Sequence, residues 1–109
     1  MAFARIKARD LEWTRGEPSI FKSSNLAERG FCQACGTPLT YRFVERDNIS
    51  VSLGSLDHSK GMKPQLQFYL DAKASWLDDL ATVPVQEEFL TSELKARFVN
   101  NQYPDHDAR

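Results

Sequence analysis

The sequence predicts a mainly β domain with antiparallel strands and one C-terminal α-helix. Two observations favour this fold class. Short segments rich in β-branched and aromatic residues are separated by Gly, Pro, Asn and Asp at turn-like intervals, and only one segment, near the C-terminus, has apolar residues at helical spacing. The chain has 109 residues, of which 41% are hydrophobic. This length and composition fit a single domain over residues 1–109.

The predicted strands are segments in which apolar and polar residues alternate, because a strand with one buried face repeats every two residues. The first segment alternates small or apolar residues with basic ones. Asn25–Glu28 is predicted to be a polar hairpin end, and residues 54–64 are predicted to be a loop. The five predicted strands are Phe3–Arg9, Ser19–Ser24, Pro38–Val44, Ile49–Leu53 and Leu66–Leu70.

The predicted helix covers residues 86–101 and extends the domain at its C-terminal end. Its apolar residues recur at helical spacing among Glu and Lys, which is typical of an amphipathic helix. They are Phe89, Leu90, Leu94, Phe98 and Val99. We expect this helix to cover part of the sheet, with binding of a partner protein as the alternative.

Charge and hydropathy exclude several classes of function. The formal net charge is −1 and the isoelectric point about 6.1, so the chain has no bulk electrostatic attraction to nucleic acid or to an anionic membrane. No apolar run approaches the roughly 20 residues that span a bilayer, and the N-terminus lacks a signal-peptide core. We expect a cytoplasmic protein that binds neither nucleic acid nor membrane.

The most informative segment is Cys32–Thr37, called the cysteine turn below. It holds both cysteines of the chain, Cys32 and Cys35, followed by Gly36. Two thiolates three residues apart can face one metal ion when the backbone folds tightly, and a following glycine permits the positive φ that such a turn needs. This spacing predicts half of a tetrahedral zinc site, with Cys32 and Cys35 as its ligands.

Two other interpretations of the cysteine pair stay open. A redox CxxC requires a helix that starts at the first cysteine, whereas here Pro38 and a β-rich run follow. Two thiols without a ligand are the other alternative. The zinc site itself is incomplete, since His58 in a loop and His106 in a polar tail are the only histidines, and neither is expected to be a ligand.

Several short motifs occur in a recognisable order between about Phe3 and Pro84. They are Gly16–Pro18, Phe21, Ser23–Ser24, Arg29–Phe31, the cysteine turn, Leu39, Tyr41, Val51–Asp57, Pro64, Phe68–Tyr69, Lys73 and Trp76–Leu77. In this order they resemble the domain shared by the glutathione-dependent formaldehyde-activating enzymes (GFA) and centromere protein V. The resemblance implies a β-tent (Mss4-like) fold of antiparallel sheets that binds zinc.

The resemblance also implies how zinc is held. In the family, a CxC near the N-terminus joins a later CxxC in a structural site, and a cluster between them holds a catalytic zinc. Cys32 and Cys35 match the later CxxC, while the other cysteines would precede Met1. We therefore expect an N-terminally truncated GFA-like domain. The chain also departs from the family at Gln67, where the family often has His.

These implications lead to the expected function. The family joins formaldehyde and glutathione, the reverse of a carbon–sulfur lyase reaction. We expect a zinc-binding domain without a catalytic zinc of its own and with unknown catalytic residues. The alternatives are an active lyase whose upstream residues are missing from this chain, and a non-enzymatic protein-binding module. The expected cofactor is zinc, and the expected partner is a small thiol such as glutathione.

Two further expectations concern the surface of the sheet. One face of the first predicted strand carries three basic residues, Arg5, Lys7 and Arg9. This face could be an anion site for a glutathione carboxylate, but we prefer the interpretation as a solvated sheet edge. Strands missing upstream would leave sheet edges open, and open edges recruit other chains. We therefore expect a homodimer, with one four-thiolate zinc shared by two chains as its most specific form.

Overall fold

The computed structural model describes residues 1–101, and these form two compact units. The first unit, Met1–Lys63, contains a five-stranded sheet, and the second, Pro64–Asn101, contains short helices. The mainly β fold class is confirmed by the sheet. The prediction that residues 1–109 form a single domain stays a prediction.

The sheet is antiparallel throughout, with strand order β1-β5-β4-β3-β2. Strands β2 to β5 form a meander, and β1 pairs with the last strand, so β1 and β2 are the sheet edges. The strands are β1 (Phe3–Lys7), β2 (Ser19–Lys22), β3 (Ala27–Phe31), β4 (Pro38–Phe43) and β5 (Asn48–Ser52). Four of them lie within or beside predicted strands.

Strand β3 is the strand that the sequence did not predict. Its residues, Ala27 to Phe31, include small, charged and glycine positions with low β propensity. They form a strand because β2 pairs along one side and β4 along the other, with Gly30 opposite both Ile20 and Thr40. Tertiary pairing therefore overrides local preference here.

The sheet curves around its middle strands. The rings of Phe3 on β1 and Tyr41 on β4 lie 6.3 Å apart although β5 separates their strands, and Tyr41 meets Phe43 edge to face at 5.9 Å. Adjacent strands are spaced by about 4.8 Å, so the two side chains lean together across β5. A register shift between Gly30 and Phe31 bends β3 just before the cysteine turn.

The most buried positions of the sheet lie on its inner strands. Ala27, Gly30, Thr40 and Ser52 are buried. Larger apolar side chains at the edge are not, since Ile20 and Phe21 on β2 are 52% and 61% exposed. The densest packing of this unit therefore lies between β3, β4 and the end of β5, next to the cysteine turn.

The second unit differs from the sequence-based expectation in two places. The predicted strand at Leu66–Leu70 does not form, because Tyr69 takes a left-handed conformation (φ 58°) and a 3₁₀ helix starts at Leu70. Helix α1 spans Ser92–Arg97, shorter than the predicted 86–101, because Thr91 caps its N-terminus and Phe98 returns to extended backbone. Within residues 1–101, no helix has the length and apolar character needed to cross a membrane.

Candidate metal centre

The backbone of the cysteine turn closes on itself between β3 and β4. The Cys32 amide donates to the Thr37 carbonyl oxygen at 2.9 Å, and the Gly36 amide donates to the Cys32 carbonyl oxygen at 2.7 Å. Gly36 has φ 78°, a left-handed conformation that costs an L-residue about 1–2 kcal/mol. The Gly after the second cysteine therefore has the role that the sequence predicted for it.

The two thiols differ in exposure. Cys32 is half-buried at the end of β3, Cys35 is exposed at the tip of the turn, and neither forms a disulfide. The Cys35 Sγ lies 3.1 Å from the Thr37 Oγ1, a distance at which either atom can donate a hydrogen bond. If Cys35 ionises, the Thr37 hydroxyl is placed to donate to the thiolate, which metal binding requires.

The turn is anchored to the sheet on both sides. The Ser19 hydroxyl at the start of β2 donates to the Gln33 Oε1 at 3.0 Å. The Ser52 hydroxyl at the end of β5 donates to the Pro38 carbonyl oxygen at 2.8 Å, directly after the turn. Side-chain hydrogen bonds from two different strands thus limit how far the turn can move.

The donor set of the turn fits half of a structural zinc site. Zinc in such a site takes four ligands, most often thiolates and imidazoles, and this turn supplies two thiols with one hydroxyl beside them. Within residues 1–101, no group of three or more His, Cys, Asp and Glu side chains is arranged to hold a metal ion. The remaining ligands are therefore not brought to the turn by the part of the chain that the structure describes.

The other candidate residues lie apart from the cysteine turn. His58 is exposed in the loop that follows β5, and His106 lies outside the described residues. Arg5 and Lys7 are exposed on the edge strand β1, while Arg9 belongs to a 3₁₀ helix after it. Lys7 pairs with Asp47 at 3.3 Å, which fits the preferred interpretation of these basic residues as a solvated edge.

Three polar residues around the turn were not predicted from the sequence. Thr37 contacts the Cys35 sulfur, and Gln33 and Ser19 tie the turn to β2. A hydroxyl two residues after a cysteine is a signal that could have identified Thr37. Ser19 carries no such local signal, because its contact depends on how β2 pairs with β3.

Comparison with known proteins identifies one matching family. The family model described as glutathione-dependent formaldehyde-activating enzyme matches residues 1–72, a segment that contains all five strands and the cysteine turn. No curated protein and no solved structure matches the chain. The family match covers well over half of the 109 residues. The chain therefore belongs to the glutathione-dependent formaldehyde-activating enzyme family.

Proposed function

We propose that this chain is a zinc-binding GFA-family domain in which Cys32 and Cys35 supply two ligands of a structural zinc site. The observation that carries this proposal is the closed turn between β3 and β4, with both thiols on one short loop and Gly36 in the left-handed conformation. Membership of the family adds support, because its later CxxC is a zinc-binding motif by resemblance.

The chain contains two cysteines in all, so thiol chemistry reports directly on this site. Purified protein is expected to bind zinc and, when loaded, to protect both thiols from a disulfide reagent until a chelator is added. Cys32→Ser and Cys35→Ser should each abolish tight binding, because a single thiolate holds zinc weakly. Ala34→Ser is the matched control, since Ala34 is exposed in the same turn and its substitution removes neither a sulfur nor an anchoring hydrogen bond.

Two results together would contradict zinc binding. Both thiols would react at the same rate with and without zinc, and metal analysis of the dialysed protein would find none. A zinc content that survives both Cys→Ser substitutions would place the metal elsewhere and also overturn the proposal.

We further propose that residues 1–109 alone do not carry out the carbon–sulfur chemistry of the family. A catalytic zinc needs its own protein ligands and an open position, and both cysteines of this chain are already in the turn. The test is the rate at which formaldehyde and glutathione combine, with and without the zinc-loaded protein. Equal rates are expected, and a zinc-dependent acceleration that Cys35→Ser removes would instead favour the lyase.

The remaining zinc ligands are proposed to come from a second copy of the chain, giving a homodimer. Two observations support self-association. Strands β1 and β2 are open sheet edges, and the edge strand β2 exposes Ile20 and Phe21 by more than half of their surface. Open edges and exposed apolar side chains both favour pairing with another chain.

A further inference from the structure

A depression of about 280 Å³ lies at the base of the cysteine turn. The residues that line it include the aromatic residues Phe3, Phe21 and Phe31 and the basic residue Arg29. The three rings come from β1, β2 and β3, so the curvature of the sheet brings both of its edges to one concave surface. The result is an apolar recess with one cation at its wall.

The Arg29 guanidinium lies against an aromatic ring. It stacks on the Tyr41 ring, 4.7 Å from the centroid, and the two residues are direct cross-strand partners. Among residues 1–101, no carboxylate pairs with it. A cation over a ring is attracted to it without donating its N–H groups to another acceptor, so these groups remain available to bind an anion.

Thr40 also borders the depression, but its side chain lies on the other face of the sheet. Thr40 pairs with Gly30, and its Oγ1 overlaps the place that a Gly30 Cβ would take, whereas Arg29 pairs with Tyr41. Successive residues of a strand face opposite sides of a sheet, so the Thr40 hydroxyl does not meet the Arg29 guanidinium. Arg29 is therefore the charged side chain that can pair with a ligand in the depression.

We propose that this depression binds a small carboxylic acid with an apolar body. The carboxylate would pair with the Arg29 guanidinium, while the body would lie among the three phenyl rings. The volume is at the lower end for ligand pockets, which limits the occupant to a small molecule. An inorganic anion would leave the rings solvated, so the apolar walls favour an organic acid.

The test compares phenylbutyrate with its neutral isostere phenylbutanamide, using NMR titration of the full chain. Saturable shifts are expected at Gly30, Phe31 and Thr40. The acid should bind about tenfold or more tightly than the amide, because hydrogen bonds to charged groups are the strong ones. Equal affinity for acid and amide, or no saturable shift for either one, would overturn the proposal.

A pair of arginine variants separates the site from general charge effects. Arg29→Gln should weaken binding of the acid about tenfold or more and leave binding of the amide nearly unchanged. Arg46→Gln is the matched control, because the Arg46 guanidinium also lies over a ring, 5.8 Å from the Phe43 centroid, but does not line the depression. Equal loss in both variants would contradict the role of Arg29. If Arg29→Gln fails to fold, the acid-to-amide preference of the unchanged protein decides.

Discussion

Gly30 lies at the most crowded point of the sheet. A Cβ added at this position would overlap the Thr40 Oγ1 and would touch Pro18 at 3.4 Å. Gly30→Ala is therefore expected to lower the free energy of unfolding by about 1–3 kcal/mol, since overpacking forces neighbouring atoms to move. Urea denaturation monitored by circular dichroism measures this change.

Gly54→Ala is the matched control for that substitution. Nothing lies within 4 Å of a Cβ at Gly54, and its φ is not in the left-handed region. The alanine there should be neutral or should stabilise the protein by about 0.4–1 kcal/mol, because it restricts the unfolded chain. Equal stability of the Gly30→Ala and Gly54→Ala proteins would show that the crowding at β3 and β4 does not exist in solution.

Gly36 and Gly16 share a backbone conformation but not a location. Their φ values are 78° and 66°, and an added Cβ meets nothing within 4 Å at either position. Gly36→Ala and Gly16→Ala should each cost about 1–2 kcal/mol of stability from backbone strain. Only Gly36→Ala should also weaken zinc binding, as measured by competition with a chelating dye, because only Gly36 belongs to the cysteine turn. Equal zinc affinity in the two variants would mean that this glycine does not shape a metal site.

Strand elements are the level at which the sequence was most informative. Alternation and turn residues placed β1, β2, β4 and β5 because each has a local signal of its own. Strand β3 has none, and it forms because two neighbours pair with it. At Leu66–Leu70 the opposite occurs, since β-prone residues are not part of any strand. Local propensity therefore predicts a strand reliably only where partners exist.

The two candidate sites, the cysteine turn and the depression, also differ in how far the sequence predicts them. The cysteine turn was predictable because its residues are consecutive, and spacing alone indicates where the sulfurs and Gly36 lie. The depression was not predictable, because Phe3, Phe21 and Phe31 meet only through register and sheet curvature. The stack of Arg29 on Tyr41 depends on the same pairing.

Ser52 joins two strands at the point where their ladder ends. Its hydroxyl donates to the Pro38 carbonyl oxygen at 2.8 Å, and the residue is 5% exposed. Ser52→Ala should lower the free energy of unfolding by about 1–2 kcal/mol, since a buried hydrogen bond is lost and its acceptor is left unsatisfied. Ser50→Ala on the same strand is the control, because Ser50 makes no hydrogen bond through its side chain among residues 1–101. Amide exchange in the cysteine turn should also be faster in Ser52→Ala than in Ser50→Ala, and unchanged exchange would show that Ser52 does not anchor the turn.

At the scale of the whole molecule, few large apolar side chains of the sheet are buried. Among residues 1–101, Ala27 is the hydrophobic residue that is buried, and Ile20 and Phe21 on β2 are each more than half exposed. Burial of apolar surface is the main source of folding free energy. Association with a second chain would bury apolar surface that this sheet leaves exposed, and would therefore stabilise the fold.

A zinc-linked dimer would provide both the missing ligands and the missing burial. Sedimentation velocity is expected to show a dimer with about half a zinc ion per chain, because one four-thiolate site would use two cysteines from each copy. Chelation should shift the equilibrium toward monomer, and Cys35→Ser should produce the same shift without a chelator. Ile20→Lys tests the sheet edge separately, since it places a charge on β2 while leaving both sulfurs intact. A monomer that binds one zinc ion per chain, or a zinc-free monomer, would contradict the shared site. A dimer that survives both chelation and Cys35→Ser but is lost in Ile20→Lys would assign association to the strand edge alone.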